Sequence, residues 1–250
     1  MSWREAEHPR DPANGEFVEK SGWLGRVNDA IDRFVGGAGI RGVRPSIDGA
    51  SSTKELEAVT RRELDFLTGQ QVKVKLKGLD LPLAKLHMEG VLRGAGEFPW
   101  AQLREINTTR ENSVRDAFTF IVPNRPDRTT LTFNTKRNHA EFVANMARMA
   151  ALSYYSGDVR DLTHIGAHEY GHVAVGSLPW GAVDGIVGSK PLGYVTRVRD
   201  QLGMYALSDD HEMIGEAVAD YLSRSGQSSQ LGREVVSRLH ALNNRVAGRR

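Results

Sequence analysis

The sequence predicts an α+β fold, and the order of its periodic segments is the main reason. Stretches that alternate apolar and polar residues, or that are rich in β-formers, occur between residues 71 and 135. Longer stretches with apolar residues at helical spacing dominate from residue 139 onward. Strands followed by helices, rather than a strict alternation of the two, are typical of α+β proteins. With 250 residues, of which 40% are hydrophobic and 26% charged, the chain can form one sizeable globular domain.

The first 52 residues differ in composition from the rest of the chain. They are rich in glycine, proline and charge, as in HPRDPANGEF and VGGAGIRGVRPSIDGASS, and we expect a flexible tail or linker there. One short helix is predicted inside the tail from apolar residues at helical spacing, namely Trp23, Val27, Ile31 and Phe34. Residues 53–250 are predicted to form the folded domain.

The domain is predicted to begin with a helix, because Ser52 and Glu55 have the spacing of a capping box and KELEAVTRRELDFL follows them. The basic run TRRELDF in this helix is interrupted by acids, which indicates a solvated face. Three strands are predicted next, over QVKVKLKGL, DAFTFIVP and TTLTFNT.

The second half of the chain is predicted to be mainly helical. The first helix covers HAEFVANMARMAALSYY, with one apolar side formed by Phe142, Met146, Met149 and Leu152. Three more are predicted over THIGAHEYGHVAVG, DDHEMIGEAVADYLSR and LGREVVSRLHALNNRV. The segment SLPWGAVDGIVGSKPLGY is predicted to be irregular.

Composition excludes several kinds of site and partner. The chain has no cysteine, so a metal ion must be held by histidine and carboxylate. The net charge of +2 is too balanced to argue for nucleic acid. There is no apolar run of about eighteen residues, so no membrane span is expected. The charged start MSWREAEHPRDP lacks the apolar core of a secretory signal.

The segment HIGAHEYGHVAVG contains the pattern HExxH, formed by His168, Glu169 and His172. Residues four apart lie on one face of a helix, so both imidazoles can bind one ion at about 2.0–2.1 Å. Glu169 points about a hundred degrees round the helix, which places it beside the open coordination position. It is therefore the predicted general base of a metal-assisted hydrolysis. The alternative is a helix whose histidines are only surface or capping groups.

A catalytic zinc usually takes three protein ligands and leaves one position open. Glu216, on the predicted helix DDHEMIGEAVADYLSR, is the predicted third ligand. Asp220, four residues later on the same face, is expected to fix the tautomer of a ligand histidine. An ordinary exposed acidic helix is the alternative. The small apolar residues between the two acids favour an inward-facing helix, where both carboxylates need a partner.

Three other residues compete for these roles. His164 extends the histidine stripe, but a predicted N-cap at Thr163 puts it in the first turn, where a capping or supporting role is expected. His211 and Glu212 precede Glu216 by about one turn, and either could be a ligand. Glu216 is preferred because an aspartate follows it four residues later. His211 could alternatively stabilise an oxyanion.

HEYGH followed by GMYALSDDHEMIGEAVADYL resembles the gluzincin branch of zinc metallopeptidases, in particular the anthrax lethal factor type and related bacterial and phage toxin domains. The pattern of that group runs roughly T-x-x-HExGH, a loop, S-x-Y-A and a helix opening with E-x-x-A-E. Here Tyr205 and Ala206 match the Y-A pair and Glu212 matches the first acid of the helix, while Gly215 replaces the usual alanine. The likeness covers about residues 128–225.

This resemblance implies a zincin fold, with a small mixed sheet, an edge strand, an active-site helix that carries HExxH, and C-terminal helices. It implies a zinc-dependent metalloendopeptidase with Zn²⁺ as cofactor and a peptide or protein as substrate. An extended peptide would add to the edge strand, for which TTLTFNT is the candidate. The resemblance also implies that the Tyr205 hydroxyl donates to the oxyanion of a tetrahedral intermediate.

The N-terminal segment WREAEHPRDPANGEFVEK is similar to the W…HPRD..G.F segment of phage minor-head and portal-associated proteins. An extra residue precedes Gly15, and Glu16 replaces a basic residue. The likeness implies a phage or prophage product, with phage head or portal proteins as partners of the tail and the virion or the host cytoplasm as its location. The alternative function is that of a virion structural or interaction protein with a vestigial metal site.

Overall fold

The chain forms an α+β fold, as its pattern predicts, and four strands of the described residues make one mixed sheet. The computed structural model describes residues 45–112, 116–155, 162–179, 181–188, 190, 192–223 and 228–248. The predicted helix at residues 23–34, the HPRD segment and the rest of the tail before Pro45 lie outside the described residues.

The helices and strands occur in the order α1 Pro45–Asp48, α2 Thr53–Thr68, β1 Lys73–Val74, α3 Leu81–Glu97, β2 Glu105–Thr109, β3 Ala117–Phe120, β4 Thr130–Asn134, α4 His139–Ala151, α5 His164–Gly176, α6 Ala182–Val187, α7 Tyr194–Leu202, α8 Asp210–Ser223 and α9 Gln230–Ala247. Short 3-10 turns occur at Pro126–Arg128 and Tyr205–Leu207. None of the helices in the described part of the chain is both long enough and apolar enough to cross a membrane.

Helix α2 begins where the sequence predicts, with Ser52 as its N-cap. The Ser52 hydroxyl accepts a hydrogen bond from the Glu55 backbone N–H at 3.2 Å. The Glu55 carboxylate turns one residue further back and accepts from the N–H and the hydroxyl of Ser51, each at 2.7 Å. The reciprocal half of the capping box is therefore displaced by one residue. Arg61 and Arg62 are exposed, as expected for a solvated face.

The sheet has the strand order β1-β2-β4-β3, which corrects the predicted edge strand. β4 contains most of TTLTFNT and pairs in parallel with β2 and in antiparallel register with β3, so it lies inside the sheet. All its residues from Leu131 to Asn134 are buried. The edge strand beside α5 is instead β3, where the Phe120 side chain is 59% exposed.

Four elements are not predicted from the sequence, namely α1, β2, α3 and α7. Of these, α1 lies within the predicted tail, yet its Ile47 is buried in the core. β2 has the polar sequence EINTT with only Ile106 buried, so it lacks the alternation of a half-buried strand. α3 contains glycines, which weaken helix propensity, yet it is 17 residues long. Two predicted elements also differ in extent. The first strand is limited to β1, and the segment predicted to be irregular contains α6.

The apolar side predicted for α4 is only partly inside the core. Phe142 and Met146 are fully buried, and Met149 is partly buried against the core. Leu152 is 60% exposed, because the helix ends at Ala151 and the chain leaves the helical path.

Helices α3 and α5 are in backbone contact, and glycine makes this contact sterically feasible. A Cβ atom on Gly90 of α3 would lie 2.2 Å from the carbonyl oxygen of Thr163. One on Gly166 of α5 would lie 2.1 Å from the carbonyl oxygen of His87. Larger residues at either position would force the two helices apart. The same glycines that obscure α3 in the sequence therefore fix its position against α5.

The opposite side of α5 packs closely on α8. A Cβ atom on Gly171 would lie 3.0 Å from the Val218 Cβ atom. One on Gly215 of α8 would lie 2.7 Å from Cε1 of His168. Held between α3 and α8, α5 has every residue from 164 to 175 buried. The HExxH segment therefore lies in the centre of the fold. This burial argues against the alternative in which the histidines are only surface or capping groups.

Candidate metal centre

Three ligand atoms from α5 and α8 converge on one point. His168 Nε2 lies 3.0 Å from His172 Nε2 and 3.0 Å from Glu212 Oε2. The distance between His172 Nε2 and Glu212 Oε2 is 3.5 Å. Ligand atoms at about 2.0–2.1 Å from a tetrahedral ion stand roughly 3.3–3.4 Å from one another. The triangle formed by these three atoms is therefore close to the size that a bound divalent ion requires. We refer to His168, His172 and Glu212 as the outer triad.

The outer triad has the electrostatics of a cation site. Burial alone would lower the pKa of His168, but hydrogen bonds to Glu212 and Glu216 raise it well above its usual value. Burial alone would raise the pKa of Glu212, but hydrogen bonds to His168 and His172 lower it far below its usual value. The carboxylates thus stabilise positive charge between the two helices, and a metal ion would supply that charge in place of a proton.

Glu216 takes a different position from the one predicted. Its Oε1 lies 2.9 Å from His168 Nδ1, the nitrogen on the far side of the ring from the triad. The same carboxylate lies 3.1 Å from His164 Nε2. The predicted set of His168, His172 and Glu216 therefore changes in one member. Glu212, one turn earlier on α8, lies close to the two Nε2 atoms. Glu216 contacts His168 at Nδ1, on the opposite side of the ring.

Asp220 lies a further turn along α8. Its Oδ2 accepts a hydrogen bond of 2.7 Å from the Ser229 backbone N–H, at the start of α9. A Cβ atom on Gly232 would lie 2.7 Å from the same oxygen, so α9 also approaches this carboxylate closely. Beside His168 Nδ1, the position predicted for Asp220 is occupied by Glu216. Asp220 anchors the junction between α8 and α9 and interacts electrostatically with His164.

Glu169 is held beside the outer triad by the edge strand. Its Oε2 accepts a hydrogen bond of 2.6 Å from the Thr119 hydroxyl on β3, and its side chain is buried. The same hydroxyl lies 3.1 Å from the Glu169 carbonyl oxygen. Thr119 therefore ties the edge strand to α5 at the residue predicted to be the base. The sequence gives no signal for Thr119, because its role depends on which strand lies at the edge.

Tyr205 is placed next to the same point by a short 3-10 turn. Its ring centroid lies 5.8 Å from that of His168. Burial, then the charge and hydrogen bond of Glu212, raise the pKa of the Tyr205 hydroxyl above its usual value. The turn is fixed by a backbone bond of 2.8 Å from Tyr205 N–H to the Tyr154 carbonyl oxygen, and the two rings stack. The raised pKa keeps the proton on the phenol, beside the negative charge of Glu212.

The remaining two candidates occupy opposite environments. His164 is buried, and its Nε2 lies 3.1 Å from the Glu216 carboxylate. His211 is exposed at the start of α8 and lines a cavity beyond the outer triad.

A second group, His164, His168 and Glu216, also brings its ligand atoms within 4.8 Å of one another. We refer to it as the inner triad. It shares His168 with the outer triad, but its side chains are only 1%, 5% and 2% exposed. The Glu212 side chain of the outer triad is 24% exposed. Of the two groups, the outer triad is therefore the more accessible to solvent.

The outer triad, with two histidines and one glutamate, could hold a metal ion, and the Glu169 carboxylate and the Tyr205 phenol lie beside it. Comparison of the chain with protein-family models, with curated proteins and with solved structures finds no match in any of the three.

Proposed function

We propose that this protein is a zinc-dependent peptidase with a zincin-like site. The observation that carries the proposal is the outer triad, in which His168, His172 and Glu212 converge with spacings of 3.0 to 3.5 Å. Two histidines and one carboxylate, with no cysteine in the chain, form a ligand set typical of catalytic zinc. A structural zinc site normally has four protein ligands, whereas this triad supplies three and is partly open.

Zinc in the triad would supply Lewis acidity to the carbonyl under attack and lower the pKa of a water molecule. Glu169 is the base in this proposal: it accepts a proton from the attacking water and passes it to the leaving amine. The Thr119 hydroxyl fixes one Glu169 oxygen at 2.6 Å and leaves the other carboxylate oxygen for the proton. The Tyr205 hydroxyl donates to the oxyanion that develops on the carbonyl.

Glu216 and His164 position the histidine that both triads share. A carboxylate 2.9 Å from His168 Nδ1 favours the tautomer with hydrogen on that nitrogen, which leaves Nε2 free to bind an ion. His164, at 3.1 Å, holds the carboxylate in place from the other side.

A peptide is the favoured substrate because the site lies beside an exposed sheet edge. β3 pairs only with β4 among the described strands, so its outer side is free to pair with an extended chain. Thr119 of β3 contacts the proposed base directly. A peptide added to this edge would therefore pass over Glu169 and the outer triad.

The test combines zinc binding with hydrolysis of a diverse peptide mixture. We expect about one zinc per chain, with loss of cleavage on adding a chelator and recovery on adding zinc. Glu169→Gln should bind zinc and lose cleavage. Glu169→Gln activity equal to that of the parent would contradict the mechanism. Zinc binding without cleavage of any peptide would support the alternative of a virion structural protein with a vestigial site.

A further inference from the structure

A cavity of about 530 Å³ lies at one end of the proposed cleft. Val175, about one turn after His172 on α5, lines it from one side. His211, which directly precedes Glu212, lines it from the side of α8. Ile121, the residue after β3, lines it from the edge of the sheet. The cavity therefore shares walls with the three elements that carry the proposed site.

The distance between the cavity and the cleaved bond follows from the course of the edge strand β3. Thr119 contacts Glu169, and two residues later Ile121 reaches the last turn of α5, where a Cβ atom on Gly176 would lie 2.9 Å from its Cγ2. Two residues of extended chain span about 6–7 Å. A peptide that follows this edge would place a side chain one or two residues from the cleaved bond at the cavity.

The lining combines apolar walls with an excess of negative charge. The apolar part includes Ile121, Pro123, Val175, Leu178, Ala182 and Val183. The charged groups that line the cavity are Asp184, Asp209, Asp210 and Lys190. Lys190 is matched by Asp210, whose two oxygens lie 2.7 and 2.9 Å from its ammonium. Asp209 accepts a hydrogen bond of 2.9 Å from the Glu212 backbone N–H, and Asp184 is exposed. The lining therefore holds three carboxylates and one ammonium group.

We propose that this cavity receives a lysine or arginine side chain of the peptide substrate, one or two residues from the cleaved bond. The aliphatic stem of such a side chain fits the apolar walls, and its cationic end meets the carboxylates. A purely apolar side chain would cover the carboxylates without pairing them, which costs free energy. An acidic side chain would be repelled. The inference rests on the proposed function, because it concerns the substrate of the same site.

The first experiment maps cleavage sites in a diverse peptide mixture incubated with the zinc-loaded protein. We expect lysine or arginine to be enriched at one fixed position within two residues of the cleaved bond. Glu169→Gln with zinc is the control for contaminating peptidases. Cleavage with an enrichment of leucine or glutamate, or with no enrichment, would overturn the subsite and leave the proposed function intact. No cleavage at all would overturn both.

Two variants outside the proposed catalytic machinery shift the charge of the lining in opposite directions. Asp184 is an exposed residue of α6. Asp184→Asn should lower kcat/KM for an arginine peptide about two- to fivefold and leave a matched leucine peptide unchanged. Lys190→Gln should raise kcat/KM for the arginine peptide. Equal effects of either variant on both peptides would refute the charge argument.

Binding gives a readout that does not need turnover. Fluorescence anisotropy with zinc-loaded Glu169→Gln compares labelled arginine, leucine and glutamate peptides of otherwise identical sequence. The arginine peptide should bind most tightly, and its advantage should shrink as salt is raised to about 1 M, since exposed charges are then screened. Equal affinities, or the highest affinity for the leucine peptide, would overturn the proposal.

Discussion

Replacing Gly215 by alanine is expected to weaken zinc binding through a single added methyl group. A Cβ atom at this position would lie 2.7, 2.8 and 2.9 Å from Cε1, Nε2 and Nδ1 of His168. Ordinary contacts begin at 3.4 Å, so the imidazole must move by about 0.7 Å or α8 must move away. Either movement carries Nε2 out of the outer triad and Nδ1 away from Glu216.

The size of the effect follows from the two contacts that are disturbed. Loss of an interaction that orients a ligand histidine typically costs about 10–100-fold in metal affinity. We therefore expect the zinc dissociation constant of Gly215→Ala to rise about tenfold or more. Alanine also favours a helix over glycine by about 1 kcal/mol, so the metal-free protein need not be less stable. Lower zinc affinity in a folded protein is the expected signature.

Competition with a fluorescent zinc chelator measures the affinity, and circular dichroism checks the fold. Gly96→Ala is the matched control, because Gly96 lies in a helix, is exposed, and would bring its Cβ no closer than 4.0 Å to Leu67 Cδ2. Gly96→Ala should bind zinc as the parent does. Parent-like zinc affinity in Gly215→Ala would refute the close packing of His168 on α8, and an equal loss in both variants would show a general effect of the substitution.

Three further predictions concern the other contacts. Glu212→Gln should lower zinc affinity more than Glu216→Gln does in the same chelator competition; the reverse order would restore Glu216 as the ligand. Thr119→Val should lower kcat about tenfold without changing zinc affinity, since a hydrogen bond to a charged group is lost, and Thr119→Ser should retain activity. His87 is buried without a hydrogen-bond partner for Nδ1 among the described residues, and burial lowers its pKa to about 3. Because the unfolded chain takes up a proton near pH 6.5 and the folded protein does not, the free energy of unfolding should fall by up to about 4 kcal/mol between pH 6.5 and 3. Denaturant titrations of His87→Leu should show a smaller fall over that window, and an equal fall would contradict the assignment.

Periodicity predicts the general fold class because it reports which side of each element is buried. It predicts α8 and α9 well, since their apolar residues recur every three or four positions. It does not identify α5, which is buried all round and is predicted from its HExxH pattern instead. It does not predict α3, whose glycines are poor helix formers in isolation. Gly90 of α3 and Gly166 of α5 are needed where the backbones of the two helices meet. This contact exists only after both helices have formed, so the sequence of α3 alone does not reveal it.

The edge strand is hidden for a similar reason. β3 and β4 both have strand-like sequences, and nothing in either one states how many neighbours it has. The parallel pairing of β4 with β2 decides the question, and β2 is the strand whose polar sequence gives the weakest signal. Thr119 could be recognised as a partner of Glu169 only once β3 was known to be the edge.

The proposed third ligand illustrates the limit of helical spacing. Glu212, Glu216 and Asp220 are four residues apart, so all three lie on one face of α8 and each has an acid one turn later except the last. Spacing therefore identifies the face that meets α5 but not the turn that meets the two Nε2 atoms. The position of α8 along its axis selects the turn, and the close contacts of Gly171 and Gly215 set that position. In this position of α8, Glu212 lies 3.0 Å from Nε2 of His168, and Glu216 lies 2.9 Å from Nδ1 of the same imidazole. The two glutamates thus have different roles because they meet opposite sides of His168, although their sequence surroundings are nearly the same.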